Sequence, residues 1–180
     1  MEEKRQRKPH RLFKYDYSDP GAYFVTCVTQ NRTLLFGRIE DKAMRLNDAG
    51  KAIDSIIREP PHHIVDIEMD EYVVMPNHIH MIVNICHGSL YTSRERQPDI
   101  RLTAKKSSIS LNAIVQRFKS YSTMIYCSGV RNLGWKRFAK RLWQRDYYDH
   151  IVRDENDLNA IREYIICNPS NWPDDPETNV

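Results

Sequence analysis

His78-Ile79-His80 sets two imidazoles two residues apart, and along a strand residues i and i+2 project from the same face. Neutral imidazole is a common ligand for divalent metals, so the pair makes part of a cation site that still needs a third donor. Tyr164 and Asn168 stand four residues apart. That is one helical turn, so a phenol and an amide would share a helix face. Together the four side chains could hold a metal and present a nucleophile. Each also has a plainer reading. In a chain with seven His, one such pair reads equally as partly exposed structural histidines. Tyr164 reads as the apolar side of an amphipathic helix, and Asn168 as the cap before Pro169. On spacing alone the plainer readings weigh more.

Charge supplies a second signal. Between Arg101 and Arg145 there are eleven Lys or Arg and no Asp or Glu, so that stretch carries +11 while the rest of the chain carries −8. The net charge of +3 conceals the asymmetry. A concentrated basic block attracts phosphates and releases counterions on binding them, which makes nucleic acid the leading partner. Arg117 and Lys119 lie within the block, and residues 131–145 interleave Lys136, Arg137, Lys140, Arg141 and Arg145 with Trp135, Phe138 and Trp143. Cations mixed with aromatic rings suit phosphates and stacked bases together.

Several classes drop out on composition. No run approaches the ~18 consecutive apolar residues of a membrane span, and the charged N-terminus has no apolar stretch behind it, so a cytoplasmic protein is expected. Six Gly with none in a GxxxxGK[ST] pattern argues against a nucleotide cofactor. Cys27, Cys86, Cys127 and Cys167 are forty or more residues apart with no CxxC pair, so they read as reduced, mostly buried thiols rather than a zinc ribbon or disulfide scaffold.

The elements that must position these residues follow from periodicity. Ala22–Thr29 reads as a first strand and residues 47–58 as a helix stopped by Pro60-Pro61. Ile64–Met75 and Ile79–Ile85 read as an antiparallel hairpin about Pro76-Asn77, with the two histidines at its turn. Residues 87–109 lack periodicity and read as a long loop. Leu111, Ile114, Val115, Phe118, Tyr121, Ser122 and Ile125 mark a second helix. Tyr147–Val152 reads as a short edge strand on which Tyr147 and Tyr148 pack, with His150 at the surface. Asp154-Glu155-Asn156-Asp157 starts a last helix that ends at Asn168-Pro169. His62-His63 has no partner at metal spacing. The expected organisation is a basic arm over residues 1–17, one domain over 18–172 and a loose acidic tail over 173–180. The element order predicts an α+β, ferredoxin-like sandwich: an antiparallel sheet with helices on one face and an added C-terminal helix carrying the candidate nucleophile.

Three strings extend this reading: residues 72–83 (YVVMPNHIHMIV), 142–150 (LWQRDYYDH) and 163–169 (EYIICNP). They resemble those of the REP-associated tyrosine transposases, a branch of the single-tyrosine HUH (His-hydrophobic-His) transposases that act on single-stranded DNA. By that resemblance His78 and His80 match the metal-binding pair, Asn168 the third ligand and Tyr164 the nucleophile. The implied activity is cleavage of hairpin-associated (REP-like) DNA with Mg²⁺ or Mn²⁺, through a covalent 5′-phosphotyrosine. Both a homodimer and a monomer are compatible with it. Two other readings stay open. The basic block alone would suit a non-catalytic nucleic-acid-binding module. The histidines alone would suit a metal-dependent hydrolase, which leaves Tyr164 without a role.

Overall fold

The computed structural model describes residues 15–59, 67–86 and 109–178. Most of the basic arm, His62-His63 and nearly all of the loop expected at 87–109 lie outside the described residues.

Four strands form the main sheet: β1 (Gly21–Val28), β4 (Ile67–Val74), β5 (His78–Ile85) and β6 (Tyr148–Ile151). They run in the order β4-β5-β1-β6, with every neighbouring pair antiparallel. Three helices accompany them: α1 (Asp48–Arg58), α2 (Leu111–Asn132) and α3 (Glu155–Cys167). This is the expected α+β sandwich with its C-terminal helix.

Strand alternation divides the sheet into two faces with different duties. Tyr23, Val25 and Cys27 of β1, with Ile79, Met81, Val83 and Ile85 of β5, join the larger core under Ala49, Ile53 and Ile57 of α1 and Leu111, Ile114, Val115 and Phe118 of α2. Phe24 and Ile82, on the opposite face, form a second, smaller hydrophobic cluster with Ile165 of α3, and Leu158 and Ile161 pack beside it. The register Thr26↔His80 and Val28↔His78 puts both histidines on this second, thinly covered face.

Each helix begins on a polar cap. Asn47 accepts from the Gly50 N–H, Ser110 from Ala113 and Asp154 from Asp157. The second helix runs seven residues beyond Ile125 because its last turns are packed. Tyr126 is fully buried and donates to the Lys136 carbonyl at 2.9 Å, while Gly129 lets the Trp135 ring lie where a Cβ would stand. A small hairpin, β2 (Gly37–Glu40) with β3 (Ala43–Leu46), adds to the expected order. Its turn residues Asp41 and Lys42 have φ of 50° and 60°, the paired positive values of a type I′ turn.

Two expectations need correction. The Pro/Asp-rich segment after α3 is not a loose tail over residues 173–178. Trp172–Asp174 forms a 3₁₀ turn, Asp175 is buried, and Glu177 pairs with Arg32 at 2.9 Å. Of the four free thiols only Cys27 is buried and the others are partly exposed, because Cys27 alone sits on the core face of a central strand. No helix among the described residues is long and apolar enough to cross a membrane.

Candidate active site

The β4–β5 turn delivers His78 as the first residue of β5, and the fully buried Asn77 just before it locks the imidazole. Asn77 donates its Nδ2 to the carbonyls of Arg32 (3.2 Å) and Glu177 (2.8 Å), which leaves Oδ1 to accept from His78 Nδ1 at 2.9 Å. The His78 proton is thereby assigned to Nδ1, and Nε2 keeps its lone pair. That Nε2 is buried with no hydrogen-bond partner. His80 is held by a bond between its Nδ1 and Thr26 Oγ1 at 2.8 Å, and it stacks on Phe24 with ring centroids 5.3 Å apart. Its Nε2 points the same way as that of His78.

Helix α3 brings Tyr164 and Asn168 onto these nitrogens. The Tyr164 hydroxyl lies 3.3 Å from His80 Nε2. Asn168 is buried, and its Oδ1 is a second polar atom without a partner. All four residues singled out in the sequence therefore converge. A fifth, Asp175, joins them from the segment after α3. Its Oδ2 accepts from Asn168 Nδ2 at 2.8 Å and from the Tyr164 hydroxyl at 3.5 Å, and it lies 3.9 Å from Nε2 of both histidines. His78, His80 and Asp175 form a buried group whose ligand atoms all lie within 4.8 Å of one another. Two imidazole nitrogens, a carboxylate and an amide oxygen make a donor set that fits one divalent cation, and two of these atoms, His78 Nε2 and Asn168 Oδ1, are buried without a hydrogen-bond partner.

The electrostatics agree with that fit. Burial, reinforced by the neighbouring His80, pushes His78 down to about 3, so it stays neutral. Burial opposes ionisation of Asp175, but His80, Asn168 and the Glu177 N–H outweigh it and hold the carboxyl well below the usual range. Burial and then the Asp175 carboxylate push the Tyr164 phenol up to about 12. Near neutral pH the Asp175 carboxylate thus faces a neutral His78, the unpartnered Asn168 Oδ1 and a protonated phenol.

Asp175 carried one sequence signal. It stands seven residues past Asn168 between Pro173 and Pro176, a stiff, short return that keeps the carboxylate near the end of α3.

The cationic residues divide. Lys140, Arg141 and Arg145 line a cavity of about 520 Å³ with Gln30, Asn31, Gln144 and Asp146. Gln144 and Asp146 also line a neighbouring cavity of about 490 Å³ that reaches Tyr164 and His80, so the basic loop adjoins the catalytic candidates. Lys136 and Arg137 are exposed, with Lys136 Nζ donating to the Leu34 carbonyl at 3.2 Å. Arg117 is exposed on α2, across the sheet from Tyr164. Lys119 differs from the expectation. Burial pushes its ammonium down, and Nζ donates to the carbonyls of Gln144 and Asp146 at 3.0 Å each. It holds the loop from beneath because those carbonyls turn inward.

No family model matches the chain. An uncharacterized protein of Haemophilus influenzae is 35% identical to it over 179 residues, 94% of this chain and 91% of that protein. A putative REP-associated tyrosine transposase of Haemophilus influenzae is 24% identical over 157 residues, 87% of this chain and 74% of that protein. Among solved structures, a REP-associated tyrosine transposase bound to a REP hairpin shares the fold. Its TM-score is 0.51 at 18% identity, over 92% of this chain and 74% of that one. The chain is thus similar over most of its length to a putative REP-associated tyrosine transposase and shares the fold of a solved one.

Proposed function

We propose that the protein nicks and rejoins single-stranded, hairpin-bearing DNA by way of a covalent bond to Tyr164. The observation that carries this reading is the phenol 3.3 Å from His80 Nε2, beside the unpartnered His78 Nε2 and Asn168 Oδ1. A water-using hydrolase would leave that phenol without a task. The relative solved with a REP hairpin supports hairpin DNA as the substrate class.

His78, His80 and Asp175 would hold a divalent metal, with Asn168 Oδ1 as a further donor. Mg²⁺ or Mn²⁺ there supplies positive charge to polarise a phosphate oxygen and favour the phenolate. The chain's own residues do the rest. Asn77 and Thr26 fix the two imidazoles so that both Nε2 lone pairs face the site. Tyr164 is 41% exposed, so its proton leaves to solvent. Its oxygen forms a bond to phosphorus, the P–O3′ bond breaks, and the departing oxygen takes a proton to become a free 3′-OH. The phosphotyrosine retains the ester for rejoining without nucleotide hydrolysis.

The test is incubation with 5′- and 3′-labelled hairpin oligonucleotides in Mn²⁺, Mg²⁺ or EDTA, for wild type and Tyr164→Phe, read on a denaturing gel. A metal-dependent, slowly migrating adduct absent from the mutant is expected. Salt-sensitive binding with no adduct on any hairpin would instead leave a non-catalytic binding module.

A further inference from the structure

We infer that the cavity beside Tyr164 receives one unpaired nucleobase of the DNA strand and that Tyr148 is its stacking platform. This rests on the reading of the protein as a single-strand nicking enzyme and adds to it a subsite. The cavity measures about 490 Å³, with apolar walls from Phe24, Val28, Tyr147 and Tyr148, polar edges from Thr26 and Gln144, and the charged groups Arg32, Glu177 and Asp146 at its border. Pockets that take an extruded base have this composition, with rings for the base faces and a few hydrogen-bonding groups for its edges.

Tyr148 is the informative member. It is a large ring left 49% exposed on the edge strand β6. Its position is nevertheless defined. Pairing Thr26↔Tyr148 sets it on the histidine face of the sheet, and Phe24 meets its ring in a T-shaped contact, 6.3 Å between centroids at 70°. Phe24 also stacks on His80 and contacts Tyr164 edge-on at 6.0 Å. One buried phenylalanine thus connects the exposed ring to the reacting side chains. A base stacked on Tyr148 would belong to a nucleotide next to the phosphate at Tyr164.

Charge fixes the kind of occupant. Gln144 and Asp146 line both this cavity and the neighbouring one bordered by Lys140, Arg141 and Arg145. An aromatic slot next to a row of cations matches a base on a charged backbone. An apolar peptide would leave the cations unused. In a single strand the base is already unpaired, so entry costs no base pair.

The probe is a DNA hairpin with a four-nucleotide single-stranded extension at its foot, with each extension position replaced in turn by 2-aminopurine. Binding and fluorescence are measured for the full-length wild type, Tyr148→Ala and Tyr148→Phe. At one extension position the wild type should quench 2-aminopurine. Tyr148→Phe should preserve the quenching, while Tyr148→Ala should abolish it and weaken binding about five- to a hundredfold. Equal fluorescence at every position in wild type and Tyr148→Ala, or affinity within twofold, overturns the inference, as does a failure of the wild type to bind the probe at low salt. The covalent adduct is scored separately. Adduct formation unchanged by Tyr148→Ala, with no change in fluorescence, removes the pocket and leaves the nicking activity. Tyr148-dependent quenching without any adduct does the reverse.

Discussion

Asp175 supplies the negative charge that two imidazoles lack, and its contacts make its loss measurable in two independent ways. Replacing it with Asn keeps the shape and removes the charge. Mn²⁺ affinity, followed by calorimetry, should fall at least about tenfold, as is typical when a metal site loses a supporting group. A loss under twofold would show that the carboxylate is not a ligand. Without metal the same substitution should lower the Tyr164 phenol from about 12 toward the ordinary tyrosine value of about 10. The sign follows because a nearby anion disfavours the phenolate. Resonances of ¹³Cζ-labelled tyrosine, assigned with Tyr164→Phe, would report it, and an unmoved titration would remove Asp175 from the account. Periodicity put His78 with His80 and Tyr164 with Asn168 on one face each, but spacing alone favoured plainer readings, and the resemblance of the three strings is what singled them out. Asp175 was not legible, because its place depends on an irregular segment folding back over the sheet, which no period encodes.

Helix α3 must present Tyr164 from a face with a small core, and polar tethers compensate. Arg162 reaches both oxygens of Asp70 on β4 at 2.8 and 2.6 Å, and His150 on β6 bonds Asp157 at 2.9 Å. Hydrogen bonding to Arg162, working against partial burial, holds the Asp70 carboxyl below its ordinary value. A depressed folded value means the contribution is complete above the unfolded carboxylate range near ~4 and disappears as pH falls through the folded value. The Tm of Asp70→Asn should therefore lie below wild type at pH 7, and the gap should close in acid. A gap independent of pH would exclude the ion pair as its source. The end of α2 makes a different prediction. With Trp135 packed where a Cβ would stand, Gly129→Ala should destabilise by about 1–3 kcal/mol, read as a shift in urea midpoint with the slope unchanged. An unchanged midpoint would mean that the ring moves without cost. All three helices and the four sheet strands were visible as apolar periods with caps or breakers. The β2–β3 hairpin was not, because an Asp-Lys turn lacks the Asn-Gly or Asp-Gly signature that marks positive φ. The extra turns of α2 depend on a glycine contact visible only after folding.

Across the described residues the sheet separates the main core from the candidate site: α1 and α2 build the core on one face, while the other carries Tyr164, the candidate metal donors and the two adjoining cavities. The described cations of the basic block are distributed over both faces, so the charge of the block in sequence overstates what one strand would meet beside Tyr164. Lys140, Arg141 and Arg145 line the cavity next to the site, whereas Lys119 donates to the carbonyls of Gln144 and Asp146. Salt dependence discriminates between these roles. Each phosphate neutralised on a single strand contributes roughly −0.7 to the slope of log K against log salt. Replacing Lys140, Arg141 and Arg145 together by Ala should therefore flatten that slope by about 2 and leave thermal stability nearly unchanged. Lys119→Ala should do the opposite. It strips two carbonyls of their donor and exposes the cavity beneath the loop, so Tm falls while the slope for the remaining folded protein stays as in wild type. Equal changes in slope for the two variants would mean that the loop cations do not follow the strand past Tyr164. The charge pattern in the sequence pointed to a nucleic-acid partner, and the fold separates the cations that line the cavity next to the site from Lys119, which supports the loop.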